Sequence, residues 1–167
     1  MTIIAAAEDK HGYWIGSDSM GNAAGTMVEL GSKLINKKNY IIGFSESYRL
    51  RDIIEEDTKL PVDIKTMRSL RSFRDRIIPV TKEEEITFGL IIISSGGIFD
   101  IDSDYQIHKI NNYIAIGSGS DFALGALRAI LRTSESAAIA VREAVEAAIF
   151  HSSTCGGNVH IEHIEKP

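Results

Sequence analysis

Thr2-Ile3-Ile4-Ala5-Ala6-Ala7 is an apolar run that directly follows the initiator methionine, and it predicts a β-strand at the start of the chain. A second strand is predicted over residues 13–18, after a tight turn at Lys10-His11-Gly12. Residues 40–44 supply a further apolar strand. The first third of the chain is therefore predicted to be mainly β-sheet.

Helical spacing of apolar residues alternates with strand patterns through the rest of the chain. The predicted helices cover residues 46–57, 62–78, 120–131 and 134–151, and Ser134 or Ser136 would cap the last of them. The predicted strands cover residues 86–94, 98–102, 105–110, 113–116 and 159–165. This alternation of strand groups and helix pairs favours two antiparallel sheets packed face to face with helices outside. We therefore predict an α+β fold, a four-layer α/β/β/α sandwich.

Length and composition indicate one globular domain over residues 1–167. A chain of 167 residues with 44% hydrophobic and 25% charged side chains can bury a substantial core. The net charge of -5 and the lack of a sustained Lys/Arg run argue against nucleic acid or an anionic membrane as a partner. The most basic stretch, residues 65–76, has the charge spacing of the solvated side of an amphipathic helix.

The sequence predicts a cytoplasmic protein. No apolar run approaches the roughly 20 residues that span a bilayer, and Glu8 and Asp9 stand where a signal peptide would be apolar. The single cysteine, Cys155, has no partner for an internal disulfide, which fits a reducing compartment.

Thr2 carries the most specific chemistry in the chain. Removal of Met1 would leave an α-amine and a hydroxyl on the same residue. Because an α-amine has a pKa of roughly 7.7 to 8.0, a useful fraction is neutral near pH 7 and accepts the hydroxyl proton. Many proteins begin Met-Thr by chance, so this pair needs support from the rest of the chain.

Two charged residues and two strand-to-helix junctions supply that support. Asp18 ends the second predicted strand, and Lys33 precedes an apolar stretch; each alone is an ordinary loop charge. The junctions Gly43-Phe44-Ser45-Glu46-Ser47 and Ile116-Gly117-Ser118-Gly119-Ser120 are predicted to present backbone amides to an anion or oxyanion. The second junction lacks the Lys-Ser/Thr of a P-loop and the third glycine of a dinucleotide fingerprint, so nucleotide binding is not expected.

Taken in order, these segments resemble the proteasome β-subunit family, especially its bacterial HslV-type peptidases. The resemblance covers almost the whole chain, with 16 residues from Thr2 to Asp18, 31 from Thr2 to Lys33, and Gly156-Gly157 before the last strand. It implies the N-terminal nucleophile hydrolase fold, a four-layer sandwich that agrees with the pattern of elements.

The resemblance also implies roles for five residues. Thr2 Oγ1 would attack a peptide carbonyl with its own amine as base, and Lys33 would favour the alkoxide. Asp18 would pair with Lys33, because a buried ammonium without a partner is costly. Ser118 would bind the Thr2 amine. Glu46 would supply the oxyanion amide.

The chain departs from the family pattern at two positions. The family usually has glycine where this chain has Glu46, and a carboxylate there would oppose a developing oxyanion unless the side chain turns away. Ser152 stands where proteasome β-subunits carry an aspartate that supports the nucleophile.

These observations leave two hypotheses. The first is a threonine peptidase that forms a homo-oligomer of stacked rings, cleaves peptides or unfolded proteins, and relies on a separate ATPase, since the chain has no Walker motif. The second is a non-catalytic scaffold of the same fold.

No metal ion or cofactor is expected. His160 and His163 are three apart on a predicted strand, so they face opposite sides and do not chelate one metal. Cys155 has no identifiable His partner, and we interpret it as a buried small hydrophobic residue rather than a nucleophile.

Overall fold

The computed structural model describes residues 2–23, 26–57 and 59–167. Met1, whose removal the catalytic hypothesis requires, lies outside these residues. The strands are β1 (Ile4–Glu8), β2 (Gly12–Ser17), β3 (Met20–Ala23), β4 (Thr26–Glu29), β5 (Leu34–Asn36), β6 (Tyr40–Ser45), β7 (Gly89–Ser94), β8 (Gly97–Asp102), β9 (Ile107–Ile110), β10 (Tyr113–Ile116) and β11 (His160–Glu165). The helices are α1 (Tyr48–Glu56), α2 (Met67–Glu83), α3 (Ser120–Leu131) and α4 (Ala137–His151).

Two antiparallel sheets form the centre of the fold. The first has the strand order β10-β1-β2-β11, and the second has the order β5-β6-β7-β8-β9. Strands β3 and β4 form a separate hairpin. The predicted α+β sandwich of two antiparallel sheets is confirmed.

Strand β1 shows why the sheets lie inside. Its side chains alternate between faces, as in any strand. Ile4 and Ala6 pack in the layer between the two sheets, together with Ile15, Ile41 and Ile91. Ala5 and Ala7 face the other way, into the cluster that α3 and α4 cover. Both faces of β1 are therefore buried, which explains its continuous apolar sequence.

The two outer layers differ in side-chain size. Alanines dominate the interface beneath α3 and α4, where α4 lies so close to β2 that a Cβ on Gly16 would be 2.7 Å from the Val141 side chain. Large residues such as Phe44, Leu70 and Phe73 fill the interface beneath α1 and α2. Small residues thus allow the helices to approach the sheet closely on the α3 and α4 side only.

The second helix departs from its predicted range of 62–78, since it runs Met67–Glu83. It begins late because Thr66 forms a capping box at its N-terminus. The predicted stop before Pro79 is wrong. The buried face of the helix continues past the proline from Phe73 through Ile77 to Thr81, so packing against the core favours helix where Pro79 alone would end it.

The remaining predicted helices agree with the structure to within three residues at each end, and Ser136 is the N-cap of α4, accepting a hydrogen bond from the Ile139 N–H. The hairpin β3–β4 was not predicted, because its partly exposed strands lack a clear apolar alternation. None of the described helices is both long and apolar enough to cross a membrane.

Candidate active site

Thr2 lies at the start of β1, and its neighbours come from the two strands that flank β1. Residue Ser17 of β2 pairs with Ile4, so Asp18 follows directly beside Thr2 and Ile3. On the other side, β10 ends opposite Ile4 and leads into the loop that holds Ser118. Sheet register therefore brings both side chains to the start of β1, where Thr2 is only 3% exposed.

Asp18 and Lys33 form a fully buried ion pair. Lys33 Nζ lies 2.5 Å from Asp18 Oδ1, and both side chains have no exposed area. The same oxygen accepts the Ile3 N–H at 3.1 Å, and Oδ2 accepts the Gly156 N–H at 3.1 Å. Asp18 Oδ1 thus binds both the Lys33 ammonium and the Ile3 N–H. Since Ile3 follows Thr2 in the chain, the ammonium is held next to Thr2.

Burial lowers the pKa of the Lys33 amine below its ordinary value of 10.5, while the Asp18 carboxylate opposes that shift. Ser17 helps to fix the lysine backbone, because its hydroxyl accepts the Lys33 N–H at 3.3 Å. A buried ion pair is weak evidence for stability, and a buried lysine with a lowered pKa beside a candidate nucleophile is a candidate for a chemical role.

Ser118 contacts the backbone of Thr2 at both ends. The Thr2 N–H donates to Ser118 Oγ at 3.1 Å, and that hydroxyl approaches Thr2 O at 3.4 Å. The Gly119 N–H also donates to Thr2 O, at 3.3 Å. Gly117 has a φ of 95°, and a Cβ there would collide with the Thr2 carbonyl oxygen, so this approach requires glycine.

Two amides of this loop are engaged inside the protein. We expected them to be available to an anion, but Gly119 N donates to Thr2 O and Ser120 N donates to Gly117 O. For these two amides the prediction is wrong, because the Gly119 N–H holds Thr2 and the Ser120 N–H closes the turn within the loop.

A chain of hydroxyl groups extends from Ser118. Its Oγ lies 2.7 Å from Thr154 Oγ1, which lies 2.8 Å from Ser152 Oγ. Sequence reasoning missed Thr154, although the run of hydroxyl residues just after α4 is a signal for it. Cys155 is buried as predicted, with its sulfur 4.0 Å from Ser118 Oγ.

Glu46 lies apart from this network. Within the described part of the chain, it makes no hydrogen bond to Thr2, Asp18 or Lys33. Its φ is 77°, and the Ser47 N–H donates to Ser45 O at 3.1 Å, which is the geometry of a strained γ-turn. The Glu46 side chain is exposed.

The chain is similar to several solved structures, although it matches no protein-family model and no curated protein. Thiobacillus denitrificans BPH superposes with a TM-score of 0.90 at 18% identity, over 99% of this chain and 98% of that one. Its complex with epoxomicin gives 0.85 at 19% identity, with both chains fully covered. HslV from Trypanosoma brucei gives 0.76 at 19% identity, over 99% of each chain.

These superpositions confirm the predicted resemblance at the level of fold. The chain has the four-layer sandwich of HslV-type, proteasome-like structures over essentially its whole length. Identities near one residue in five identify the fold alone, so the chemistry must be argued from the residues of this chain.

Proposed function

We propose that this chain is an N-terminal threonine peptidase, one domain over residues 1–167, which cleaves peptide bonds with Thr2 after Met1 is removed. The observation that supports the proposal most strongly is the buried Lys33–Asp18 pair, anchored on the Ile3 amide directly beside Thr2. A buried ion pair of this kind adds little to the free energy of unfolding, so stability alone does not explain why it lies there.

The proposed reaction begins at Thr2 Oγ1, which attacks the substrate carbonyl while the α-amine takes its proton. The Lys33 ammonium favours the alkoxide, and Asp18 keeps that ammonium in place. The protonated amine then delivers its proton to the departing amine of the substrate, leaving an ester on Thr2 Oγ1. Water, activated by the same amine, hydrolyses the ester and restores the hydroxyl.

The hydroxyl chain supports this role of the amine. Ser118 accepts a hydrogen bond from the Thr2 nitrogen, and Thr154 is close enough to Ser118 to fix the direction of its hydroxyl. We propose that Thr154 and Ser152 replace the aspartate that the family pattern has at position 152. Three neutral hydroxyl groups orient the amine without adding a charge beside it.

We also propose a homo-oligomer of stacked rings in the cytoplasm, with peptides or unfolded protein as substrate and a separate ATPase as a partner. The resemblance to the HslV type supports this assembly, because closed cyclic symmetry would enclose the sites. Sedimentation of the purified protein as an 18.3 kDa monomer at micromolar concentration would count against it.

A non-catalytic scaffold is the second candidate, and the strained turn at Glu46 favours it. A carboxylate next to the amide expected to bind the oxyanion opposes the negative charge that develops there. In that case the protein would keep the fold and the assembly but would not turn over peptides.

One experiment separates the two candidates. The mass of the purified protein first establishes whether Met1 is absent. Met-free protein is then incubated with a fluorogenic peptide and with epoxomicin, the compound bound in the BPH complex. A peptidase gives turnover and a covalent adduct on the N-terminal peptide, whereas Thr2→Ala, the matched control, gives neither. Met-free protein that shows no turnover and no adduct supports the scaffold.

A further inference from the structure

We infer that Glu29 is a positioning residue: through Ser19 and Asn158 it fixes the loop over residues 156–158, whose amide holds the Asp18 carboxylate. The inference rests on the proposed function, since Asp18 matters for catalysis only if Thr2 is the nucleophile. Glu29 is the last residue of β4, in the hairpin that sequence reasoning missed.

The loop over residues 156–158 lies against the chain segment that follows Asp18. The Ser19 and Met20 N–H groups both donate to Gly156 O, at 3.2 and 3.0 Å. In return, the Gly156 N–H donates to Asp18 Oδ2 at 3.1 Å. The position of this loop therefore determines whether the second oxygen of Asp18 has its donor.

Glu29 joins the two sides of this contact. Ser19 Oγ donates to Glu29 Oε1 at 2.9 Å, and the Asn158 N–H donates to Ser19 Oγ at 2.7 Å. The Asn158 side-chain amide also donates to Glu29 Oε1. One carboxylate oxygen thus receives a donor from each side, and hydrogen bonds to a charged acceptor are the stronger kind.

The fit around Ser19 leaves little freedom. Ser19 is fully buried, so its hydroxyl needs both of its partners. Gly157 has a φ of 79°, and a Cβ there would collide with Ser19 Oγ. Without the Glu29 carboxylate, the Ser19 hydroxyl and the Asn158 amide lose their common acceptor. The loop would keep its backbone contacts through Gly156 but lose the tie at Asn158, so we expect it to fluctuate more beside Asp18.

Kinetics of three variants test the inference. Glu29→Ala should lower kcat about tenfold with little change in KM, since a charge-assisted hydrogen bond to the supporting loop is lost. Glu29→Gln should restore most of kcat, because its amide oxygen still accepts from Ser19 and Asn158. Glu135→Ala, at an exposed carboxylate that pairs with Lys10, is the matched control and should match the parent.

A double variant shows whether Glu29 acts through Asn158. The kcat losses of Glu29→Ala and Asn158→Ala should fail to add, because either change releases the same loop. A Glu29→Ala protein that changes only KM would make the hairpin a substrate contact and overturn the inference. Additive losses would also overturn it.

Hydrogen exchange gives a readout that does not depend on turnover. Mass spectrometry of a peptide covering residues 152–160 should show faster exchange in Glu29→Ala than in the parent, with protection restored in Glu29→Gln. Unchanged protection in Glu29→Ala overturns the inference even if the enzyme is active. Protection could be lost in Glu29→Ala and restored in Glu29→Gln while the parent forms no epoxomicin adduct. That result upholds the role of Glu29 in holding the loop, and the proposed peptidase function fails.

Discussion

The two halves of the candidate site are built in opposite ways. Around Thr2, the groups that would handle protons are buried and multiply hydrogen bonded, and the Asp18 carboxylate alone has three donors. At the turn where the oxyanion amide is expected, Glu46 is exposed and its backbone is strained. The groups around Thr2 are therefore preorganised without a substrate. The Glu46 backbone is strained instead, and a change of its conformation would relieve that strain.

The largest effect should come from breaking the buried pair. Asp18→Ala should abolish peptide hydrolysis and lower the free energy of unfolding by about 3–5 kcal/mol, because it leaves the Lys33 charge buried without its carboxylate. Lys33→Ala should also abolish hydrolysis but leave assembly intact, since Asp18 keeps its two backbone donors. Denaturant unfolding measures the free energy of unfolding of each variant, and peptide turnover measures its activity. Parental activity in Lys33→Ala would remove lysine from the mechanism.

A smaller loss is expected from the hydroxyl chain. Thr154→Val keeps the shape of the side chain but removes the hydroxyl 2.7 Å from Ser118, so kcat should fall about tenfold as the Thr2 amine loses its orientation. Thr154→Ser, which restores a hydroxyl, is the control and should recover most of the activity. If both variants turn over substrate like the parent, Thr154 has no part in supporting the nucleophile.

The pH dependence of kcat/KM should reveal the buried lysine. Below its pKa the Lys33 ammonium is charged and favours the alkoxide; above that pKa the support is lost. Because burial lowers the pKa of Lys33, the alkaline limb should lie below pH 10.5, the ordinary value for a lysine. The acid limb should report the Thr2 amine. Circular dichroism at each pH checks that the protein stays folded, and activity that persists beyond pH 10.5 would contradict the assignment.

The smallest effect concerns the strained turn, and it should be a gain. Glu46→Gly removes a carboxylate and tolerates the positive φ, so kcat should rise severalfold with little change in stability. Glu46→Gln separates the effect of the charge from the effect of the strained backbone, since it removes the charge and keeps the strain. A Glu46→Gly protein that is slower than the parent would show that the glutamate helps the reaction.

Sequence reasoning reached the fold because the buried strands are long and apolar on both faces. It also predicted Thr2, Asp18, Lys33 and Ser118 as site residues from the resemblance, and the structure places these four close together, while their roles stay a prediction. Thr154 and Glu29 were missed because the contacts that tie them to the candidate site are long-range. Ser118 lies 36 residues from Thr154, and Asn158 lies 129 residues from Glu29, so only the tertiary fold shows these two contacts.

The burial of Thr2 has a consequence for the timing of biosynthesis. Thr2 is held by Ser118 and Gly119, which the ribosome adds more than a hundred residues after it. At about 5–20 residues per second, the N-terminus emerges on the order of ten seconds before the strand that closes over it exists. An aminopeptidase therefore has a window during translation in which the Met1–Thr2 bond is still in an unfolded segment. Afterwards the finished sheet encloses Thr2, so we expect maturation to precede folding.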